Sequence, residues 1–495
     1  MSGRMGHRSS RIAYFFGTIL KKTFMQPFKS RLMKPHLSLT LMAAFALTAC
    51  AHRGSTAEAL STVKPPEQWQ ATAASPANGI QSTIHLDGLS PWWERFNDGE
   101  LNRLVKVALE RNNSLIAAGF KLKQAQLQAG LASNNQMPSL SGSGSSSASR
   151  SLGASHVSSH SNSAGVSVSY ELDLWGKLAR ATDQKTWEAQ ATEQDLRSTQ
   201  YSIAASVSRL YWQLGYLNER IALGEASIAY AQRTLNLILV QFRAGAVSQL
   251  EVVSAEKSLS SQQSAQADLM DQREQARNAM AILFDASPTQ RIAPEPQYLP
   301  RTAMPELAIG LPAELLARRP DLSAAELRLR STMAAVDVAR ANFYPSFTLT
   351  GSVNGSNSNL SQIVSDPVGA LALNLALPFL NWNENQLSLK VSKAAYGQAV
   401  AEFRQTMYAA LSDVENALSA RTLYDRKTIQ LQQQQALAKK AEHLYEVRYR
   451  AGAASLKEWL DAQEDDRQAQ INALTNRYNA YNNQATLYLA LGGAA

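Results

Sequence analysis

The chain has 495 residues, a formal net charge of +8 and a pI near 9.4, which at first suggests an anionic partner such as a nucleic acid. Eight of its 48 Lys and Arg residues lie in residues 1–49, which contain no acid, so 40 bases remain against 40 acids. This balance argues against nucleic-acid binding, and a single cysteine excludes a disulfide framework and any metal site with several thiolate ligands.

Residues 1–49 are predicted to be a leader and signal peptide. Lys34 precedes an apolar run over residues 37–47, and small residues and Cys50 follow that run. A positive start, a short apolar core and a small-residue cleavage site are typical of a secretory signal, and the run is too short to span a bilayer as a helix. Because residues 1–32 are long for the charged part of a signal, Met33 is an alternative translation start.

The signal ends in Leu47-Thr48-Ala49-Cys50, which resembles the lipobox of bacterial lipoproteins. The resemblance implies that Cys50 carries a covalent lipid and begins the mature chain. Ala51 after it implies release to the outer membrane of a Gram-negative bacterium. An ordinary buried thiol is the alternative. Residues 50–90 are rich in Ala, Ser, Thr and Pro, and we expect a flexible, lipid-anchored tether there.

A helical segment follows the tether. Pro91-Trp92-Trp93 opens it, and apolar residues recur at helical spacing over residues 101–109. The helix around residues 115–136 is expected to end before Pro138, because a proline disfavours helix in the residue that precedes it.

The next segment changes from helical to strand periodicity. Residues 139–150 are almost all Ser and Gly, and apolar and polar side chains alternate over residues 164–175, which indicates a strand with one apolar and one polar face. The pattern recurs after Pro345, so hairpins are predicted at 139–175 and 346–380, with surface loops at about 151–163 and 355–367. Strands of about ten residues have the length found in membrane β-barrels.

Long helical hairpins follow each pair of strands. No proline lies between Pro138 and Pro288 or after Pro378, and apolar residues recur at steps of three, four and seven over 176–242, as in coiled coils. A helix of this length is a rod of roughly 100 Å. Helical hairpins are predicted at 176–285 and 384–491. The segment 288–320 holds seven prolines and cannot be one continuous helix.

The chain matches itself without a gap at an offset of 207 residues. Arg243-Ala244-Gly245 falls on Arg450-Ala451-Gly452, and Pro138 falls on Pro345. Such self-similarity indicates two copies of one structural unit. We therefore divide the chain into a first repeat (91–287), a Pro-rich linker (288–320) and a second repeat (321–495).

The two repeats predict a mixed α and β membrane protein that assembles from several chains. Four amphipathic strands per chain cannot close a barrel, and a membrane does not tolerate open strand edges. Long rods with a narrow apolar seam are stable only side by side. The expected product is a tube, in which a ring of strands in the membrane continues into a ring of helices with a polar bore.

Motifs along nearly the whole mature chain resemble the TolC superfamily of outer-membrane efflux ducts, in its lipoprotein branch. The matching segments are Pro91-Trp92-Trp93, Phe96-Asn97-Asp98, Leu172-Asp173-Leu174-Trp175-Gly176, Arg318-Arg319-Pro320-Asp321-Leu322 and Asn342-Phe343-Tyr344-Pro345-Ser346. The resemblance implies a homotrimer with a 12-stranded barrel and a periplasmic helical tunnel. It implies docking to a periplasmic adaptor and an inner-membrane pump of the RND or MFS type, and passage of drugs, metals or other small toxic compounds.

The resemblance also assigns roles at the two helix tips. The turns at Arg243, Gly245, Ser248 and at Arg450, Gly452, Ser455 lie where the family's tunnel meets its adaptor. A tight helix–helix turn explains the glycines, which favour positive φ, but it does not by itself explain the repeated Arg and Ser.

Acidic residues just inside the turns match positions that ring the closed tunnel end in the family. These are Glu251 in the first repeat and Glu458 and Asp461 in the second, and Tyr449 matches the tyrosine that pairs with Glu251. Rings of like charge set ion preference, so the resemblance implies a periplasmic gate. Ala454 stands where some members carry a basic latch residue, and Arg243 or Arg450 could replace it. Solvated surface acids are the alternative.

The remaining candidates are weaker. Trp175 and Trp382 are predicted to end the second strand of each repeat and to anchor the membrane interface. His156 and His160 lie in a Ser-rich segment without neighbouring Cys or acid, so surface histidines are favoured over a metal site. No catalytic or phosphate-binding motif is present, and neither an enzyme nor a cofactor beyond the lipid on Cys50 is predicted. A protein-secretion duct and a structural coiled-coil lipoprotein are the alternative functions.

Overall fold

A computed structural model describes residues 66, 69, 70, 91–152, 158–292, 294–305, 312 and 318–493. The predicted signal, Cys50, His156, most of the tether and part of the Pro-rich linker lie outside these residues. The described chain combines long helices with one four-stranded sheet, which confirms the predicted mixed α and β class.

The elements repeat at the offset read from the sequence. The first repeat contains helices α1 (Gly99–Arg111) and α2 (Asn113–Asn134), strands β1 (Ser139–Arg150) and β2 (Ser158–Leu172), and helices α3 (Lys177–Arg243) and α4 (Gln249–Leu283). The second contains α5 (Pro320–Ala341), β3 (Ser346–Asn357), β4 (Val368–Ala376), α6 (Trp382–Arg450) and α7 (Leu456–Ala490). The bounds of α2 and α5, β1 and β3, and α4 and α7 each differ by 207 residues.

The four strands form one antiparallel sheet in the order β1-β2-β3-β4. Strand β2 starts at Ser158, and β3 runs to Asn357, so the predicted loops at 151–163 and 355–367 are too long. The Ser-rich composition suggested a loop, but these serines belong to the strands. The hydroxyl pairs Ser145–Ser163 and Ser149–Ser159, each at 2.8 Å, join β1 to β2. Cross-strand hydroxyl pairs of this kind stabilise a sheet.

The two faces of the sheet differ in chemistry. The register places Leu140 opposite Val168, Val166 opposite Val353, and Leu349 opposite Leu373, so exposed apolar side chains share one face: Leu140, Val166, Val168, Leu349, Val353, Leu371, Leu373 and Leu375. We call this the apolar face. The opposite face carries the paired serines and Thr350, which accepts a 3.4 Å hydrogen bond from Asn374.

The main core lies where the two repeats meet. Trp92 is fully buried and stacks on Tyr488 of α7 at 5.1 Å, while Phe96 packs against Trp212 of α3. Asp98 caps the first turn of α1 and accepts a 2.9 Å hydrogen bond from the hydroxyl of Tyr211. The Trp-rich motif that opens the first repeat is therefore a packing element.

Part of the tether contacts this core. Trp69 is buried in it, and the backbone N–H of Gln70 donates a 2.7 Å hydrogen bond to Glu415 of α6. At these two residues the tether is packed against the helices.

Among the described helices, none is both long enough and apolar enough to cross a bilayer.

Candidate functional site

The two helix tips have the same backbone geometry. Gly245 and Gly452 both have φ of 73°, which a glycine adopts without steric cost. The N–H of Gly245 donates to the carbonyl of Phe242, and the next N–H donates to the carbonyl of Gln241, both at 2.9 Å. The second tip repeats these two bonds after Gly452. This pattern is a Schellman motif, which satisfies the last carbonyls of a helix.

Each returning helix begins with a capping box. The backbone N–H and the hydroxyl of Ser455 both donate to the carboxylate of Glu458, at 2.7 and 2.8 Å. The N–H of Glu458 donates to the Ser455 hydroxyl in return. Ser248 and Glu251 form the same reciprocal pair at the start of α4. The spacing Ser-x-x-Glu is the sequence signature of this motif, so these two capping boxes are recognisable from the sequence.

The capping boxes change the interpretation of the tips. Helix capping explains why Ser248 and Ser455 recur, so their repetition is not an independent indication of docking. Hydrogen bonds from Ser248, the one from its hydroxyl foremost, lower the pKa of Glu251. The backbone and then the hydroxyl of Ser455 lower the pKa of Glu458. Both acids are therefore ionised at neutral pH and are oriented by their serines.

A small apolar core joins the two tips. It contains Trp459 of α7, which is 2% exposed, with Ile238 of α3 and Val252 of α4. Tyr449 stacks on Trp459 at 5.1 Å, and its hydroxyl donates a 2.6 Å hydrogen bond to Gln241. We call this group of residues the tip core.

The pairing of Tyr449 with Glu251 that the family resemblance implied is not made within the described chain. Glu251 is engaged by Ser248, and Tyr449 bonds Gln241 instead. Tyr449 is nevertheless affected by the charge of Glu251. Burial raises the pKa of Tyr449 most, and the negative charge of Glu251 raises it further.

Glu442 connects three helices at the tip core, and no motif or spacing in the sequence indicates this role. Its carboxylate accepts a 2.5 Å hydrogen bond from the Tyr230 hydroxyl of α3 and a 3.2 Å bond from the Trp459 indole of α7. Burial, followed by the bond to Glu442, raises the pKa of Tyr230. Glu442 lies near the C-terminal end of α6, and its bond to Tyr230 of α3 links the first helical hairpin to the second.

The charged residues of the tips have different surroundings. Arg450 pairs with Glu446 at 2.6 Å, whereas Arg243 is exposed in the last turn of α3, where a cation is favourable to the helix dipole. Asp461 accepts a 2.5 Å bond from Lys457. The exchange of Ser254 in the first repeat for Asp461 in the second therefore adds an ion pair to one tip only.

Two grooves flank Asp461. One has a volume of about 660 Å³ and runs between α4 and α7, where Glu251, Lys257 and Arg467 line it. The other has a volume of about 770 Å³ and runs between α6 and α7, lined by glutamines and by Glu458 and Asp465. The predicted gate acids thus lie along both sides of the start of α7.

Comparison with known proteins decides the family. The sequence matches the family of outer membrane efflux proteins over residues 104–284 and 311–493. The chain belongs to this family. The two matching segments begin 207 residues apart, so each repeat is one family unit, and the resemblance inferred from the motifs is confirmed.

Relatives of this efflux protein align over most of their length. Toxin and drug export protein A of Aggregatibacter actinomycetemcomitans is 28% identical over 92% of the chain and 97% of its own length. The pyoverdine export outer membrane protein OpmQ of Pseudomonas aeruginosa is 30% identical over 92% and 96%. Among solved structures, the outer-membrane channel OprN superposes with a TM-score of 0.79 at 26% identity, covering 87% of this chain and 97% of OprN.

The two predicted interface tryptophans occupy different positions in this efflux protein. Trp175 follows β2, stacks on Tyr344 at 5.0 Å and donates to the carbonyl of Pro345 at 2.6 Å. Trp382 does not end a strand, contrary to the prediction: β4 ends at Ala376, because Pro378 cannot donate to the sheet, and Trp382 begins α6 with 56% exposure.

The motif around Trp175 is a strand-to-helix junction. Asp173 accepts hydrogen bonds from the N–H groups of Leu178 and Ala179, at 3.0 and 2.8 Å, while Gly176 turns the chain with φ of 73°. The alternation in the sequence had placed Asp173 on the polar side of the strand, but it caps α3 instead. His160 lies in β2.

Proposed function

We propose that this outer-membrane efflux protein is the exit duct of a tripartite pump, which passively conducts drugs or other small toxic compounds to the exterior. The observation that carries the proposal is the four-stranded sheet. One face is apolar, and in the part of the chain that the structure describes strands β1 and β4 each have a free edge. A sheet with these properties is stable in a membrane only when other copies of the chain continue it into a closed barrel.

A homotrimer would satisfy the free edges with 12 strands, and members of the family form trimers. The helices support the same assembly, because their exposed apolar residues recur at steps of four and seven. On α2 these residues are Ile116, Phe120, Leu127 and Leu131. On α6, Leu437 and Leu444 are more than half exposed and one heptad apart. Apolar stripes at coiled-coil spacing fit helices of a neighbouring copy.

The tips are the proposed contact with a periplasmic adaptor, and behind it with an inner-membrane pump of the RND or MFS type. Arg243 and Leu250 are exposed at the first tip, and Arg450 and Lys457 at the second. The groove between α4 and α7 offers both charges and apolar surface to a partner helix. Grooves with an apolar floor and charged rims suit helix-in-groove recognition.

Glu251, Glu458 and Asp461, with Tyr449, are proposed as the periplasmic gate. In a trimer these acids would recur three times around the tunnel end and would favour cations. We expect Glu458→Gln combined with Asp461→Asn to lower cation preference in planar bilayers. As a control, Gln430→Glu adds one negative charge to the lining of the α6–α7 groove, whereas the double variant removes two from the proposed gate. Unchanged conductance and ion preference in the double variant would refute the gate.

Cys50 is proposed as the lipid-bearing first residue of the mature chain. Mass spectrometry of the purified protein tests this directly, since a diacylated and N-acylated cysteine adds a mass that a free thiol lacks. Cys50→Ser is expected to abolish the added mass.

The experiment that tests the proposed function is drug and metal susceptibility of a deletion strain, complemented by the wild type or by a chain lacking one helical tip. Increased susceptibility that only the wild type reverses supports the duct. Unchanged susceptibility, together with loss of a secreted protein, would favour the secretion duct. That second candidate draws on the name of the Aggregatibacter relative, a toxin and drug export protein.

A further inference from the structure

The loop between β3 and β4 folds back onto the sheet. Its first residues are held by Asn162 of β2, which donates a 3.0 Å hydrogen bond to the carbonyl of Ser358 and accepts a 2.7 Å bond from Ser146. Farther along the loop, the carbonyl oxygen of Ile363 lies so close to Gly355 of β3 that a Cβ there would meet it at 1.9 Å. The loop therefore packs on a surface that only glycine leaves open.

The loop lies on the apolar face. Gly355 pairs with Ala164, two residues along from the pair Val353 and Val166. Because side chains alternate between faces with a period of two, positions 353 and 355 belong to the same face. Asn162 shares that face and is only 8% exposed, because the loop covers it.

The loop exposes apolar side chains away from the sheet. Ile363 is buried beneath it, but Leu360 and Val364 on either side are 70% and 83% exposed. Asp366 is the only charged residue between Asn357 and Val368. Leu360 and Val364 thus form a small apolar patch on the loop, which nothing covers within the described chain. We call it the apolar tip of the loop, as distinct from the helix tips.

The loop has a fixed backbone. A 3-10 turn spans Leu360–Gln362, and the N–H groups of Gln362 and Ser365 donate to the carbonyls of Asn359 and Gln362. The hydroxyl of Ser365 donates to the Gln362 carbonyl at 2.5 Å. Satisfied backbone groups lower the cost of moving a segment into a less polar environment.

Position along the strand identifies what the apolar tip meets. The eight steps from Phe347 to Gly355 span about 26 Å of strand at roughly 3.3 Å per residue. Strands of outer-membrane barrels are tilted by about 35–45°, so this length rises roughly 20 Å through an apolar band that is about 25 Å tall. The loop therefore lies in the part of the band that is remote from the helices, on the side of the sheet that faces lipid if the proposed barrel is formed.

We propose that the β3–β4 loop is an interfacial lipid anchor, in which Leu360 and Val364 insert into the acyl region of the outer leaflet at the rim of the barrel. The proposal rests on the proposed membrane-spanning function. The partner is a lipid surface, since the tip continues the apolar face and carries almost no charge. A loop of this type lies about 5–10 Å deep in the boundary between headgroups and acyl chains.

The test uses the full chain reconstituted in phosphatidylcholine vesicles, with an NBD fluorophore on a new cysteine. Leu360→Cys and Val364→Cys probe the loop, and the unsubstituted chain reports any label on Cys50. Leu152→Cys is the matched control, because Leu152 is 93% exposed in the other loop. Both loop probes are expected to emit at shorter wavelength than the control. With lipid labelled by a doxyl group at carbon 5, they should be quenched more strongly than the control, because that carbon lies near the boundary between headgroups and acyl chains.

The outcomes separate the anchor from the duct. Loop probes quenched by aqueous iodide as strongly as the control, in vesicles that conduct ions, would overturn the lipid anchor and leave the duct intact. Probes shielded from both iodide and doxyl lipid would show that a second copy covers the loop, and would also overturn the anchor. Protein that inserts into no vesicle and conducts nothing would refute both the duct and the anchor that depends on it.

Discussion

Replacing Trp459 with alanine should loosen the tips without unfolding the rest of the protein. Trp459 is 2% exposed in the tip core, which is separate from the main core around Trp92 and Trp212. The indole stacks on Tyr449 and donates to Glu442. Its removal therefore breaks the apolar contact between helical hairpins and one polar link at the same time.

The expected cost follows from these contacts. Truncating a buried tryptophan to alanine costs about 3–5 kcal/mol, of which the lost hydrogen bond to Glu442 accounts for roughly 1–2 kcal/mol. Trp459→Phe keeps most of the ring packing, so it should lower the free energy of opening by only the roughly 1–2 kcal/mol of the lost hydrogen bond. Because about 1.4 kcal/mol is a factor of ten, the alanine variant should open locally at least a hundredfold more often.

Hydrogen exchange of backbone amides around both tips measures this opening. In Trp459→Ala, tip amides are expected to exchange about a hundredfold faster or more, while amides around Trp92 keep their protection. Leu250→Ala is the control, because Leu250 is 72% exposed at the neighbouring tip and its loss should matter little. Equal protection in the two alanine variants would refute the claim that the tip core holds the tips together.

Three further predictions concern backbone, charge and the repeat junction. Gly452→Ala should destabilise the tip by about 1 kcal/mol, because alanine is strained at positive φ, whereas Gly397→Ala should be neutral or stabilising in thermal unfolding, since its added methyl meets nothing within 4 Å. The folded-state pKa of Glu458 is lowered, so its capping bonds contribute stability above the ordinary pKa of 4.5 and lose it as pH falls through the folded value; tip exchange should rise on acidification, and Ser455→Ala should weaken that dependence without abolishing it, because the backbone N–H of residue 455 still donates to Glu458. Arg319→Ala removes bonds to Asp321 and to the carbonyl at the end of α7 and should cost about 2 kcal/mol in thermal unfolding after allowance for solvent screening; an unchanged melting temperature would show that these bonds do not help to hold the start of α5 against the end of α7.

The self-match at an offset of 207 residues was enough to predict the duplication, and hydrophobic periodicity was enough to predict the order of elements. Helix and strand periods differ, and prolines punctuate them, so the helical hairpins and strand pairs could be placed to within a few residues. The predicted loops were too long where a Ser-rich composition is as typical of a loop as of these strands. The serines around Ser159 suggested a loop, but they lie in β2 opposite serines of β1, and pairing partners are not visible in the sequence of a single strand.

The tips divide into a local part and a long-range part. The Schellman turns and capping boxes involve residues within five positions of one another. Their signatures, such as the Ser-x-x-Glu spacing of the capping boxes, are therefore present in the sequence. The link from Tyr230 to Glu442 spans 212 residues. It depends on the register between two helical rods, and no local pattern specifies that register.

The most direct test of the account is electrical. The full chain, purified as its natural oligomer, is added to a planar lipid bilayer, and current is recorded at fixed voltage in asymmetric salt. We expect discrete conductance steps with a reversal potential that favours cations, because three copies of the sheet enclose a water-filled pore above acidic tips. Membrane-associated protein that produces no steps under any voltage would contradict a duct and leave only a coiled-coil lipoprotein.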